Sequence, residues 1–111
     1  MIADSMLEIF HRTTVAMVRE EGRDLTARQL AVFLTCYLSE KKLAPKVLAT
    51  DLKLNRAKVS AIVDRLERLS LVQRDPDPSD GRSVLIARTK KGTKFLRDLI
   101  AILAQARAET L

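Results

Sequence analysis

Residues 55–88, NRAKVSAIVDRLERLSLVQRDPDPSDGRSVLIAR in one-letter code, change midway from a helical to a β pattern. Asn55 is a good N-cap for a helix over residues 56–69, because its side chain can accept a hydrogen bond from a free backbone amide of the first turn. The apolar residues that repeat at three- and four-residue spacing are Val59, Ile62, Val63, Leu66 and Leu69. The stretch predicts an amphipathic helix followed by β structure.

The β part consists of two short runs on either side of a turn. Leu71–Arg74 and Ser83–Ala87 have the composition of short strands. Between them lies DPDPSDG, residues 75–81, which is dense in the turn-forming residues Asp, Pro and Gly. We expect a β-hairpin here, and we call residues 74–88 the wing.

Two more helices are expected before this stretch. Thr26 and Gln29 have the spacing of a capping box, and the stripe that follows is Leu30, Phe33, Leu34, Tyr37 and Leu38. Pro45 suits the first turn of a short helix that ends near Leu52. Only residues 53–55 then connect to the next helix, which is the short link of a helix-turn-helix. The predicted fold is a mainly α (α+β) winged helix-turn-helix with a β-hairpin wing.

The apolar residues near both ends of the chain predict two helices, each apolar on more than one face. The first spans residues 2–21, stops at Gly22, and carries Met6, Leu7, Ile9, Phe10, Thr13, Val15, Met17 and Val18. The last is capped by Thr89 and carries Phe95, Leu96, Leu99, Ile100, Ile102, Leu103 and Ala106. Such helices need a second partner surface, so we expect residues 1–21 and 90–111 to form a homodimer. They flank a core at residues 24–89 within one domain over residues 1–111.

The charge of the chain is concentrated in one segment. The 111 residues carry a net charge of +6. Residues 53–91 hold ten basic and five acidic side chains, so most of the excess lies in the second half of the predicted core. A local positive field is typical of a surface that meets phosphates.

Other classes of protein are disfavoured by composition. No apolar stretch reaches the ~18 residues of a membrane span, and the N-terminus lacks the basic start of a secretory signal, so we expect a cytoplasmic protein. The sequence contains one cysteine, Cys36, and one histidine, His11, which argues against a disulfide or a zinc site. Asp75, Asp77 and Asp80 lack the spacing of a calcium loop, and turn formation explains them. We expect no enzyme and no cofactor, because nucleophiles, acids and bases do not cluster.

The helix over residues 56–69 has the dimensions that the DNA major groove accommodates. With its apolar face turned inward, its small residues Ser60 and Ala61 point outward and permit close approach to base edges. Basic residues flank them. We expect Arg56 and Ser60 to contact bases, and Lys58 and Arg65 to contact phosphates.

Residues 43–96 resemble the DNA-binding core of the MarR family of bacterial regulators. The matching stretches are LNRAKVS at 54–60, VDRLE at 63–67, LVQR at 71–74, and above all DPDPSDGR at 75–82 followed by TKKG at 89–92. The resemblance implies that Arg82 enters the minor groove while Asp80 helps to hold the tip of the wing. A narrow minor groove concentrates negative potential, which attracts an arginine.

The resemblance also implies the partners of the chain. These are double-stranded DNA with a pseudo-palindromic operator and a second copy of the chain, while a small-molecule effector is left open. The predicted DNA-binding residues are Asn55, Arg56, Lys58, Ser60, Ala61, Arg65, Asp80 and Arg82.

Two positions depart from the residues usual in that family. Ser70 replaces the glycine that follows the recognition helix, which predicts a less left-handed turn there. Arg88 replaces an apolar residue before Thr89, so the packing at the end of the second strand should differ.

The alternative function is a winged helix that binds protein through its apolar terminal helices. Such a module does not need the basic residues of segment 53–91 to converge on one face, whereas DNA binding does. Cys36 lies off the apolar stripe of its helix, so partial exposure and a role as an oxidation sensor are open. The simpler interpretation is a small apolar residue of the core.

Overall fold

The computed structural model describes residues 2–20 and 24–110, which form five helices and one two-stranded antiparallel sheet. In chain order the elements are α1 (Ile2–Arg19), α2 (Ala27–Leu38), α3 (Pro45–Leu52), α4 (Arg56–Arg68), β1 (Val72–Asp77), β2 (Asp80–Arg88) and α5 (Lys90–Thr110). The predicted mainly helical fold with a β-hairpin is confirmed. The chain divides into two compact units, a winged-helix unit of residues 25–93 and a terminal-helix unit of residues 1–24 with 94–111.

The helices of the winged-helix unit begin at the residues predicted from capping side chains and proline. Thr26 Oγ1 accepts a hydrogen bond from the backbone N of Gln29 at 3.1 Å, and Gln29 Oε1 accepts one from the backbone N of Thr26 at 3.0 Å. Pro45 is the first residue of α3. Lys53 has a left-handed φ of 54° and makes the sharp turn for which glycine is usual, after which Asn55 caps α4.

Two helix ends differ slightly from the predicted bounds. α4 ends at Arg68 rather than at residue 69, and Leu69 is its C-cap. The chain leaves the helix there because Ser70 adopts a φ of 61°. α1 ends at Arg19 rather than at residue 21, and the predicted stop at Gly22 lies outside the described residues.

The hairpin is longer and tighter than predicted. β1 and β2 pair antiparallel from Val72↔Arg88 to Pro76↔Val84, so the expected loop over residues 75–81 is wrong. Proline is tolerated in a two-stranded sheet because both strands have an outer edge that needs no amide proton. At the tip Asp77 pairs with Asp80, and the register shift leaves residues 81–83 as a bulge in β2.

The core of the winged-helix unit joins all of its elements. Its most deeply buried side chains are Val32, Phe33, Leu48, Val59, Val63, Leu66, Leu71 and Val72. Outside the two strands, Leu43 forms an isolated antiparallel β-bridge with Ile86 of β2, and its carbonyl accepts a hydrogen bond from the Ile86 backbone N at 2.8 Å. The predicted stripe of α2 is partly wrong, because Leu38 is 75% exposed while Val32 and Cys36 are buried.

A hydrogen-bonded junction around Tyr37 links α2, the end of α4, β2 and the start of α5. The Tyr37 hydroxyl donates to the Leu71 carbonyl at 2.6 Å and accepts from the Thr89 backbone N at 3.1 Å. Thr89 Oγ1 donates to the Ser70 carbonyl at 2.7 Å and accepts from the Gly92 backbone N at 2.8 Å. A Cβ at Gly92 would overlap the Tyr37 hydroxyl, so this packing requires glycine.

Ser70 and Arg88, which depart from the family pattern, both have defined places at this junction. The expectation of a less left-handed turn at Ser70 is wrong, since its φ is 61°. Arg88 Nη2 donates to the carbonyls of Tyr37 at 2.7 Å and Ser39 at 2.8 Å, and its guanidinium lies 5.5 Å from the Tyr37 ring centroid. An arginine at this position therefore caps the free carbonyls at the end of α2.

The terminal-helix unit contains α1 and α5 from Lys94 onward. Arg12 joins the two helices, with Nη2 3.0 Å from Glu8 Oε1 on α1 and Nη1 3.0 Å from Glu109 Oε2 on α5. The apolar faces are only partly covered. Large side chains that stay exposed are Met6, Leu7, Phe10, Val18, Ile100 and Leu103. Met6 and Phe10 belong to the predicted stripe of α1, and within the single chain they face outward.

Candidate nucleic-acid interface

The outer face of α4 carries a row of exposed polar and small side chains. Burial of Val59, Ile62, Val63 and Leu66 on the opposite face fixes the rotation of the helix. Ser60 and Ala61, predicted to point outward, and the flanking basic residues Arg56, Lys58 and Arg65 are all exposed. The structure thus leaves five of the eight predicted residues exposed on α4, on and beside its outer face, while their contact with DNA stays a prediction.

Asn55 stands at the start of this face. Its Oδ1 accepts a hydrogen bond from the Lys58 backbone N at 2.8 Å, as expected of an N-cap. The contact shown for Asn55 is therefore one that shapes α4, and it presents the amino-terminal end of the helix with its positive dipole.

The four cations predicted to meet DNA, three on α4 and one on the wing tip, have no ion-pair partner among the described residues. Within residues 2–20 and 24–110, the side chains of Arg56, Lys58, Arg65 and Arg82 form no hydrogen bond and no ion pair, and Lys58 and Arg82 are hydrogen-bonded only through their backbone N. The acidic residues of α4, Asp64 and Glu67, both pair with Arg74. The outer face therefore keeps the positive potential that attracts a polyanion.

The wing tip, residues 77–83, is held by its own acidic side chains. Asp77 Oδ1 accepts from the Ser79 backbone N at 2.9 Å. Asp80 accepts from the Arg82 backbone N at 3.1 Å and from Ser83 Oγ at 3.0 Å. The exposed Arg82 lies on the bulge that these contacts shape. The geometry gives Asp80 the tip-holding contacts that the family resemblance implies.

Sequence reasoning missed Arg74, which connects the wing to α4. Its guanidinium Nη1 lies 2.9 Å from Glu67 Oε1 and its Nη2 lies 2.8 Å from Asp64 Oδ1. The only sequence signal was the spacing of the two acids, three residues apart on one helical face. Beside this contact an open groove of about 390 Å³ is lined by Pro45, Arg56, Ala57, Ser60, Arg74 and Val84.

Metal-ligand clusters and membrane-spanning helices were both considered over residues 2–20 and 24–110. Among the residues that the structure describes, no three His, Cys, Asp or Glu side chains are arranged to hold a metal ion. Asp75, the third acid considered for a cation site, contacts Lys42 at 3.2 Å and Gln73 at 2.9 Å. The helices of the described residues are each too short or too polar to span a bilayer.

Comparison with known proteins gives a family and a fold. A sequence model of the MarR family matches residues 18–83, more than half of the chain. The uncharacterized HTH-type transcriptional regulator YcgE of Bacillus subtilis (strain 168) is 38% identical over 53 residues, covering 48% of this chain and 34% of that protein. The match therefore spans about a third of the length of this curated relative.

Solved structures with the same fold cover nearly the whole chain. YusO from Bacillus subtilis superimposes with a TM-score of 0.79 at 20% identity, covering 99% of this chain and 75% of that one. A mutant of S. aureus MepR bound to an oligodeoxyribonucleotide superimposes with a TM-score of 0.83 at 21% identity, covering 97% and 77%. These similarities establish the fold.

Cys36, the candidate oxidation sensor, lies in the core. It is 7% exposed, so the expectation of partial exposure is wrong, because the buried face of α2 includes this position. Burial raises the pKa of the Cys36 thiol to about 11. At neutral pH the group is a protonated thiol, and the thiolate is the reactive form. His11, by contrast, is exposed on α1.

The buried thiol predicts a loss of stability at alkaline pH. Its pKa in the folded chain is about 11, above the ordinary value of 9.0, so the folded chain keeps a proton that the unfolded chain releases. The free energy of unfolding should therefore be unaffected by this group below about pH 9 and decrease as pH rises to about 11. Urea unfolding at about pH 8 and about pH 10 measures the decrease. The Cys36→Ala variant should lose less stability between these two values than the unmodified chain, and equal losses would contradict a buried, protonated thiol.

Proposed function

The chain belongs to the MarR family, and on that premise we propose that it is a transcriptional regulator that binds double-stranded DNA in a sequence-specific manner. α4 enters the major groove and the wing reaches the adjacent minor groove. The observation that carries the proposal is the set of unpaired cations on two elements of one compact unit, Arg56, Lys58 and Arg65 on α4 and Arg82 on the wing tip. Its site of action is bacterial DNA in the cytoplasm.

The two elements have shapes that suit the two grooves of B-DNA. A helix fits the major groove, and a hairpin tip can follow the backbone into the narrower minor groove. The MepR structure with this fold holds an oligodeoxyribonucleotide, so the fold is compatible with bound DNA. A protein-binding winged helix has no need for exposed and unpaired cations on both elements.

Each predicted residue has a role that follows from its chemistry and position. Arg56 and Ser60 contact base edges, since an arginine can form two hydrogen bonds with guanine and a serine hydroxyl can either donate or accept a hydrogen bond. Lys58 and Arg65 contact phosphates and Ala61 permits close approach. Asn55 and Asp80 shape α4 and the wing tip through the hydrogen bonds described above.

We also propose that the chain acts as a homodimer through its terminal helices. The exposed apolar residues of α1 and α5, including Phe10 and Ile100, support this proposal, because isolated chains rarely leave so many large side chains in water. A symmetric dimer presents two recognition helices to half-sites about 34–36 Å apart, which corresponds to a pseudo-palindromic operator. Residues 24–89 serve as the DNA-binding core, and residues 1–21 and 90–111 serve dimerisation.

DNA binding should depend steeply on salt. Fluorescence anisotropy on a mixed-sequence duplex should show affinity falling by roughly a hundredfold or more between ~50 and ~200 mM salt, because several phosphate contacts release counterions. Arg82→Ala should weaken binding by about tenfold and reduce the log-log salt slope by about 1.

The control is Lys41→Ala, which removes an exposed cation between α2 and α3 that the proposal does not use. It should bind DNA as the unmodified chain does. Weak binding that ignores salt would contradict the proposal and favour the protein-binding winged helix.

Substitution of the exposed apolar residues should dissociate the dimer. The paired changes Phe10→Ser and Ile100→Ser remove two large side chains that are 65% and 56% exposed. Sedimentation equilibrium should give the mass of two chains for the unmodified protein and of one chain for the variant. Leu38→Ser is the matched control, since Leu38 is 75% exposed but belongs to α2. A single-chain mass for the unmodified protein, or equal dissociation by Leu38→Ser, would refute dimerisation through these helices.

A further inference from the structure

We propose that Arg74 is a positioning residue that braces the wing against the recognition helix and thereby sets where Arg82 meets DNA. The inference rests on the proposed DNA-binding function. Arg74 itself points at α4, so its effect on DNA passes through the wing.

The Arg74 side chain contacts three residues of α4, and the Arg74 backbone N forms a further hydrogen bond with one of them. Nη1 lies 2.9 Å from Glu67 Oε1, and Nη2 lies 2.8 Å from Asp64 Oδ1 and 3.3 Å from the Ser60 carbonyl oxygen. The Arg74 backbone N also donates to Glu67 Oε2 at 3.1 Å. One residue of β1 thus holds acceptors from two successive turns of α4.

The geometry of the guanidinium makes this contact directional. Ser60, Asp64 and Glu67 are spaced four and three residues apart, so they lie on one face of α4. The planar fork of arginine can meet acceptors at two of its nitrogens at once, which fixes orientation as well as distance. The side chain is only 24% exposed, so it is better shielded from solvent than an ordinary surface ion pair.

The wing needs such a brace because two strands alone are marginally stable in water. β2 has a second neighbour in Leu43, whereas in the described part of the chain β1 pairs with β2 alone. On β1, the Glu67 carboxylate occupies the place of a strand partner for the Arg74 amide. Arg74 pairs with Ile86 in the sheet, so it holds the hairpin at its base while the tip extends beyond Pro76 and Val84.

Arg74 also neutralises Asp64 and Glu67, which offers a competing explanation for any effect of its removal. Without Arg74 these two carboxylates would repel phosphates directly. Neutralisation requires only a positive charge, whereas holding the wing against α4 requires the planar guanidinium of arginine, which can bond acceptors at two nitrogens at once. The two explanations therefore differ in what Arg74→Lys should do.

A double-mutant cycle with Arg82 tests the positioning role. Affinity for a mixed-sequence duplex is measured by anisotropy for the unmodified chain, Arg74→Ala, Arg82→Ala and the double variant. If Arg74 acts by placing Arg82, each single change should weaken binding by about tenfold, and the double variant should be little weaker than Arg82→Ala. Independent losses that multiply to about a hundredfold would overturn the proposal.

Two further variants separate bracing from charge. Lys42→Ala is the matched control, because it also removes one cation and one wing ion pair, the 3.2 Å contact with Asp75, but it leaves the link to α4 intact. It should show no coupling to Arg82. Arg74→Lys keeps the charge and loses the fork, so it should behave like Arg74→Ala. Full recovery of affinity in Arg74→Lys would mean that charge alone suffices, and it would overturn the bracing role.

A measurement without DNA distinguishes failure of the brace from failure of the DNA-binding function. Amide hydrogen exchange in residues 79–84 should be faster in Arg74→Ala than in the unmodified chain, and unchanged in Lys42→Ala. Unchanged exchange in Arg74→Ala would refute the brace, even if the chain binds DNA. If the unmodified chain does not bind DNA while exchange at the wing accelerates in Arg74→Ala, the brace stands as a feature of the fold, but its proposed role in placing Arg82 on DNA fails with the function.

Discussion

The hydrogen bonds of the Tyr37 hydroxyl are the constraint on which the placement of α4 and the wing depends. The hydroxyl donates to the Leu71 carbonyl and accepts from the Thr89 amide. One atom thus links the residues that directly follow α4 with those that directly follow β2. Each such bond contributes about 1 kcal/mol net, and the loss of a buried partner costs more than its formation gains. Gly92 allows this arrangement because a side chain there would occupy the position of the hydroxyl.

This junction gives α4 and the wing a common base, and the Arg74 contacts give them a second point of attachment. A helix and a hairpin fixed relative to each other can meet two grooves at once without ordering during binding, which lowers the entropic cost of recognition. The charge distribution follows the same division. The acids near this surface are engaged within the protein, either by Arg74 or by the hydrogen bonds of the wing tip, and the cations face outward.

Much of the fold was predictable from local signals, because capping residues and helical periodicity act over a few neighbours. The exposed set on α4 followed from the apolar positions opposite it, and the capping residues Thr26 and Asn55 marked their helix starts correctly. The buried face of α2 was harder to predict, because this helix carries apolar residues on all sides. Periodicity alone could not show that Cys36 is buried and Leu38 is exposed. Arg74 was missed because its partners depend on the angle between β1 and α4, which arises only from tertiary packing.

The central claim is that α4 and the wing tip form one DNA-binding surface on the winged-helix unit. The most direct measurement is an NMR titration of the ¹⁵N-labelled chain with a mixed-sequence duplex. The amides of residues 56–65 and 80–82 should shift together along one binding curve, while those of residues 38–41 stay in place. Shifts confined to α1 and α5, or two separate binding curves for α4 and the wing, would contradict the claim.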